Sequence, residues 1–428
     1  GFSVNAIPQS QNLSNFLRKR LDDKAEELIE YTANYVRDKC KQKNKLKDID
    51  PVIKNKSDSN SESKSSKEVV IDKKFHKVSN FLKWRVFPAI NFLRDDNNKY
   101  DDIEILDLLT FTAMRNVCTN EGYNLLSDFI EKDIPTPQNV LHHIRKLEKQ
   151  KIYGMFDQAN KRILDLAKEK GRLDRPVDVA IDFTNVMYYG DKNDEMVKEV
   201  KPKNGTSHAY QFATIKIVSG GELYTLKAIP VHKLSDKKEV VERLLEATQE
   251  YVEIRRVYAD RGFFTGEIIN LFKEKNLKFL MPAVRNSKVK SLLEEEGAPS
   301  FTPYVMKGKE EAKFNLVIRE GEEGDPKPFA TNCNRLEVLT NDLFELYGRR
   351  WDIETGYRVQ KNNFYPKTTS KNYNVRLFYF LFSQLVYNSW ILTNIAINLN
   401  LHNEIKKEKV ITAQEFITKL FKAYVDYG

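Results

Sequence analysis

Cysteine is scarce in this chain. Its three cysteines, Cys40, Cys118 and Cys333, are odd in number and far apart. That excludes a disulfide framework and offers no zinc-ligand spacing, so a reducing, intracellular compartment is expected. Six scattered histidines form no His-rich metal motif either. Long hydrophobic runs are nearly absent as well. The stretch Leu377–Leu399 comes closest to a membrane span, but Gln384, Asn388, Asn394 and Asn398 interrupt it. A lipid-facing helix tolerates such residues badly, which points to a buried core helix and no membrane partner. No leader peptide is visible, and the chain opens on Gly1 rather than Met.

What the chain has is length and charge. Its 428 residues are enough for roughly two or three domains with a sizeable core. Lys and Arg number 70 against 61 Asp and Glu, a formal charge of +9. A basic balance suits a polyanionic partner, most often nucleic acid, although mildly basic proteins are common.

Texture divides the chain. Residues 1–54 read as a helical segment, with a charged amphipathic helix at 12–43. Residues 55–68 are Ser-rich and polar and read as a flexible linker. From 69 to 172 the pattern is all-helical, with helices expected at 76–94, 102–117, 121–132, 137–150 and 153–170. A tight turn at Asp133–Pro137 joins two of these, with Thr136 as N-cap and Pro137 at the first helical position. The second helix carries His142, Arg145 and Lys146. The pair reads equally as a helix-turn-helix with a major-groove helix or as an ordinary αα-corner.

At Pro176 the texture becomes βββαβαβ, with strands expected at 177–184, 209–218, 222–231, 254–259 and 278–283. That order gives a mixed five-stranded sheet with helices against it. Residues 286–328 fit less well, as a short helix and hairpin inserted into an α/β domain spanning 173–395. Residues 396–428 form a helical tail, its last helix opened by a Thr412–Glu415 capping box and presenting Phe416, Leu420, Phe421 and Tyr424 to the core or a second subunit.

The chemistry is expected where the strands end. Asp182 closes the first strand, and Asp260 follows the fourth within Asp-Arg-Gly. Downstream, residues 345–361 placed on one helix put Tyr347, Arg350, Glu354, Arg358 and Lys361 in one stripe between apolar rails. Glu345, Arg349, Asp352 and Gln360 fall on the other side, expected to be solvated. The stripe reads either as an exposed ion-pair ladder or as a buried working site. Three carboxylates from separate elements are a donor set for two hard divalent ions, which suits in-line phosphoryl displacement. Thr184, Arg261 and His208 lie near these positions, each as readily a strand-end hydrogen-bonder or a surface residue.

The helix spells Y-x2-R-x3-E-x6-K through Tyr347, Arg350, Glu354 and Lys361. With Ile-Asp-Phe-Thr around Asp182, Asp-Arg-Gly at Asp260, Phe-Ala-Thr-Asn before the helix and Thr-Thr-Ser-Lys at 368–371, the chain resembles the DDE transposases of bacterial and archaeal insertion sequences over residues 176–395. The resemblance implies an RNase-H-like catalytic domain preceded by an all-α DNA-binding region. It implies Asp182, Asp260 and Glu354 as catalytic metal ligands for Mg²⁺, with Mn²⁺ able to substitute. Tyr347, Arg350 and Lys361 would contact DNA phosphates, and Arg358 extends that cationic stripe. It further implies double-stranded DNA as partner (element ends and target), a homodimer on paired ends, and a prokaryotic, cytoplasmic, nucleoid-associated setting. Two alternatives are a domesticated DNA-binding protein without cleavage activity and a related RNase-H-like nuclease that cuts without joining.

Overall fold

The strand pattern that opens at Val177 is the frame of the molecule. A computed structural model describes residues 66–93, 99–128, 130–321, 324–340 and 343–425. The helix expected at 12–43, Cys40 and most of the Ser-rich linker lie outside the described residues. The helices, in chain order, are α1 (Ser66–Phe81), α2 (Asp102–Arg115), α3 (Thr119–Ser127), α4 (Pro137–Lys146), α5 (Lys149–Glu169), α6 (Lys237–Gln249), α7 (Gly266–Glu274), α8 (Ser287–Glu296), α9 (Arg335–Thr340), α10 (Leu343–Gly348), α11 (Trp351–Val359), α12 (Tyr373–His402) and α13 (Ala413–Val425). Ser66, Lys67 and Glu68, read from sequence as linker, already belong to α1.

The strands are β1 (Val177–Met187), β2 (Val197–Lys203), β3 (Thr206–Ile217), β4 (Thr225–Val231), β5 (Ile254–Ala259), β6 (Lys278–Pro282), β7 (Ser300–Met306), β8 (Ala312–Glu320) and β9 (Pro326–Thr331). They form one 9-stranded sheet ordered β2-β3-β1-β5-β6-β9-β8-β7, with β4 on β3. β1, β5 and β6 are mutually parallel, and β3 runs antiparallel to β1. The expected five-stranded sheet is thus corrected to nine, for two reasons. β2 is Val-Lys-Glu-Val-Lys-Pro-Lys, with only Val197 buried, so its sequence looks like a loop. The supposed insertion, 286–328, instead continues the sheet: β9 pairs with β6 and offers an edge to the β7–β8 hairpin.

Side chains along a strand alternate between faces. Val179, Ile181, Val257, Phe279, Leu316 and Ala330 pack in one core cluster, with Val241 and Leu244 of α6 and Ile269 and Phe272 of α7. Their neighbours Ala180, Tyr258, Leu280, Val317 and Phe329 pack in another, with Val338, Leu343, Leu346 and Ile353 of α9–α11. Parity places Asp178, Asp182 and Thr184 of β1 on that second face, under α11. Thr214 pairs with Asp182 across the β1–β3 ladder, so Thr214 and Lys216 share it.

Helix α12 extends the cover over the same face. Phe380 stacks on Phe212 with ring centroids 3.8 Å apart, and on its other side Phe378 meets Phe156 of α5 at 4.8 Å. Each such buried ring contributes roughly 1.5–3 kcal/mol. The helices before residue 172 therefore share a core with the sheet. The asparagines that interrupt α12 have partners, whereas the buried Gln384 Oε1 has none among the described residues. Asn388 accepts from the Thr225 N–H (2.9 Å) and donates to the Thr225 carbonyl (2.8 Å) and Asn160 (2.6 Å). Asn394 exchanges hydrogen bonds with Ile411, and Asn398 donates to the Glu408 carbonyl. Among the described residues no helix is long and apolar enough to cross a membrane.

The Thr412–Glu415 capping box forms in both directions, at 2.7 and 3.1 Å. Phe416, Ile417 and Leu420 are buried in the core rather than presented outward. Thr136 caps α4 as expected, accepting from Asn139 N–H at 3.3 Å. The preceding helix, however, stops at Ser127, so the connection spans 128–136. That corrects the expected tight turn and exceeds the ~3–4-residue turn of a helix-turn-helix.

Candidate active site

The chain reaches the site through residues 343–364, which are not one helix. α10 ends at Gly348, and α11 begins at Trp351. Between them Arg350, Asp352 and Ile353 N–H donate to Tyr347, Arg349 and Arg350 carbonyls. These i→i−3 bonds tighten the turn, and Gly348 weakens the helix where it breaks. A wider turn follows at Gln360–Phe364.

β1 and β5 bring two carboxylates side by side. Their last parallel pair is Ile181–Ala259, and Asp182 and Asp260 are the next residue on each chain. Asp182 is thus not at the end of β1, as expected, but mid-strand, because β1 continues against β3 to Met187. Its Oδ1 accepts from Phe183 N–H at 2.8 Å. Asp260 caps a short turn, accepting from Gly262 N–H at 2.7 Å. Glu354, from α11, faces them through Arg350, whose guanidinium donates to Glu354 Oε1 at 2.6 Å and lies 3.9 Å from Asp182 Oδ2. Arg350 is 7% exposed, packed near the rings of Tyr347 and Trp351. Burial pushes the Asp182 carboxyl up to about 7; the neighbouring Asp260 and Glu354 carboxylates add to this, while Phe183 N–H and Arg350 oppose it.

The donor set is all oxygen and crowded with negative charge, which fits a hard divalent cation. Among the described residues, no three His, Cys, Asp or Glu side chains are grouped as metal ligands. In this arrangement the compensating charge is the Arg350 guanidinium.

Other signature residues act as posts. Tyr347 donates to the Ala259 carbonyl at 3.3 Å, one residue before Asp260. Tyr357 donates to the Asp182 carbonyl at 3.2 Å and bonds Thr214. Lys361 donates to Thr184 Oγ1 at 2.7 Å and the Asn185 carbonyl at 2.8 Å. Burial, with Lys203 nearby, pushes the Lys361 ammonium down to about 8 against the pull of Asp182. Arg358 is exposed and lines the cleft beside Asp182 and Glu354. Arg261 is exposed, and His208 sits on β3 beside Ser207. The exposed His142, Arg145 and Lys146 are on α4, whose inner face buries Val140 and Ile144. No hydrogen bond or ion pair links them to the carboxylates.

The face expected to be solvated is largely buried or paired. Arg349 donates to Asp178 Oδ2 at 3.1 Å, and Asp178 is fully buried with Arg255 at 2.7 Å and the Tyr258 hydroxyl at 3.2 Å. Asp352 pairs with Lys407 at 3.0 Å. Gln360 is 3% exposed and donates to Ser383 at 2.9 Å. These contacts arise because this segment is held between the sheet and α12, not laid on a surface. Lys216 lies beneath Gly356, where a Cβ would collide with its ammonium. Sequence reasoning missed Asp178, Thr214 and Lys216. Their signal was present, since Asp178 lies two steps of the pleat before Asp182.

The family described as Transposase DDE domain matches residues 174–389. The fold is similar to that of piggyBac transposase, seen by cryo-EM in a synaptic complex with hairpin DNA, with a TM-score of 0.53 at 12% identity, over 84% of this chain and 80% of that one. No curated protein sequence matches significantly. By its matched domain, the chain belongs to the DDE-domain transposase family.

Proposed function

We propose that this transposase cuts the DNA at the ends of its mobile element and joins the freed 3′-hydroxyl to target DNA, using an RNase-H-like core. The observation that carries the reading is the convergence of Asp182, Asp260 and Glu354 on one face of the sheet, tied through the buried Arg350. In this reading Asp182, Asp260 and Glu354 hold Mg²⁺, for which Mn²⁺ substitutes. Bound there, the cation lowers the pKa of an attacking water and stabilises the leaving oxygen.

The chain's own groups do the rest. Tyr347 and Tyr357 fix the backbones that carry Asp260 and Asp182, so both carboxylates are preorganised. Arg350 exchanges Glu354 for a phosphate oxygen, a contact its planar fork suits. Lys361 and Arg358 hold neighbouring phosphates as positive charges. In cleavage a water oxygen bonds phosphorus and the P–O3′ bond breaks, leaving a 3′-hydroxyl and a 5′-phosphate. In joining, that 3′-oxygen loses its proton and bonds a target phosphorus while the target's own P–O3′ bond breaks, and the departing target oxygen takes up a proton as a free 3′-hydroxyl. The exposed α4, with His142, Arg145 and Lys146, belongs to the helical region 69–172, which we assign to end recognition. Two ends held together call for a homodimer.

The experiment is incubation of the chain with element-end duplex, target plasmid and Mg²⁺. Cut ends joined through their 3′-oxygen support the reading. Cut ends without joined products support a nuclease, and binding without cuts supports a DNA-binding protein derived from a transposase.

A further inference from the structure

The β2–β3 hairpin forms a wall of the carboxylate cleft. It turns at Asn204–Gly205, both at positive φ (53° and 81°), and Lys203 pairs with Thr206 across the turn. The Asn-Gly pair suits such a turn, whose twist matches that of the two strands it joins. Beyond Val197 the strand leaves the core, and Lys201, Pro202 and Lys203 are exposed. Tyr189, 58% exposed, braces the tip by donating to the Asn204 carbonyl at 2.8 Å.

The cleft holds about 800 Å³ and runs between this hairpin and α11. Lys201 and Lys203 line one side; Arg358 and Lys361 line the other, with Asp182 and Glu354 at its lining too. None of the four cations forms an ion pair with a described carboxylate, since Arg350 takes that role. Lys203 and Lys361 are close enough to repel one another. Like charges gathered unpaired in one groove are relieved by a polyanion.

We infer that the β2–β3 hairpin is a backbone clamp, in which Lys201 and Lys203, opposite Arg358 and Lys361, hold the phosphates of a DNA strand running along the cleft, without reading its sequence. Point charges on flexible stems suit phosphates and carry no base code. The inference rests on the DNA-cutting reading above.

The test measures binding of two labelled duplexes, the element end and a scrambled version, by fluorescence anisotropy across a salt series. It compares the wild-type chain with Lys201→Ala/Lys203→Ala, its Lys→Arg counterpart, and the remote control Lys170→Ala/Lys290→Ala. Loss of two phosphate contacts should flatten the slope of log K against log salt by up to about 1.8 for both duplexes. The Arg counterpart should restore it and the control should leave it unchanged. Since both lysines are exposed, all proteins should melt alike. A hairpin variant that binds and cuts like wild type overturns the clamp and leaves the transposase reading standing. A wild-type chain that binds neither duplex overturns both. Loss confined to the element-end duplex also overturns the clamp, because it indicates sequence readout.

Discussion

Lys216 offers the sharpest stability prediction, because it places an ammonium in the interior directly beneath the helix that carries Glu354. It is 2% exposed, donates to the Tyr387 hydroxyl and to the Asp352 carbonyl at 3.4 Å, and lies 4.1 Å from the centroid of the Tyr387 ring. Burial pushes it down to about 7 from 10.5; Asp352 of α11 opposes this and Lys409 adds to it. A lysine whose pKa falls on folding binds its proton more weakly in the native state. Between pH 7 and 10.5 the unfolded chain holds that proton and the native chain does not, so stability rises with pH across this window, by up to about 1.4 kcal/mol per pH unit. Below pH 7 the full penalty is present, on the order of 4–5 kcal/mol. Lys216→Met keeps most of the volume and removes the charge. It also leaves the Tyr387 hydroxyl without its donor, a pH-independent loss of roughly 1 kcal/mol. Urea unfolding of both proteins from pH 6 to 10 reads the difference. Lys361 and Lys409, both pushed down to about 8, titrate in both proteins and cancel. The variant should be the more stable at pH 6, with its advantage shrinking as pH rises. A difference that does not change with pH would refute a buried ammonium whose proton is released on folding.

Two further predictions concern the frame around the site. Asn388→Ala takes the side-chain acceptor from the Thr225 N–H and the donor from Asn160 Oδ1, and leaves the Thr225 carbonyl with the longer bond from Asn160 (3.4 Å); it should cost ~2–4 kcal/mol in urea unfolding, and a cost below ~0.5 kcal/mol would mean those groups find other partners. Thr412→Ala removes one half of the capping box that opens α13 and should cost about 1 kcal/mol, visible as a lower melting temperature.

Much of this arrangement was legible in the sequence. β5 occupies the residues expected of it and α8 is the short helix expected within 286–328, since each has clear boundaries: an apolar run ending in Asp-Arg-Gly, and Asn286 capping the helix by accepting from Val289 N–H. Asp182 and Asp260, singled out by the resemblance, lie side by side at the end of the β1–β5 pairing, and Arg350 links Glu354 to Asp182. Three features were not legible. β2 carries lysines and a proline on an edge strand, so hydrophobic alternation, the usual sign of a strand, is missing. Helical periodicity gives the signature segment one buried face, whereas it is held by the sheet at Arg349 and by α12 at Gln360. The role of β9 depends on pairing with β6 across some fifty residues, a tertiary contact that no local pattern encodes.

The central claim is that Asp182, Asp260 and Glu354 are the chemical centre of a DNA-cutting enzyme. A plasmid carrying the element with its native flanking DNA, incubated with Mg²⁺ and either wild type or Glu354→Gln, tests it most directly. Wild type should break the DNA at both element ends. Glu354→Gln should cut at least about a thousandfold more slowly, ~4 kcal/mol of lost transition-state stabilisation, while binding the ends nearly as well. Cleavage by Glu354→Gln at the wild-type rate would contradict the account and remove Glu354 from the mechanism.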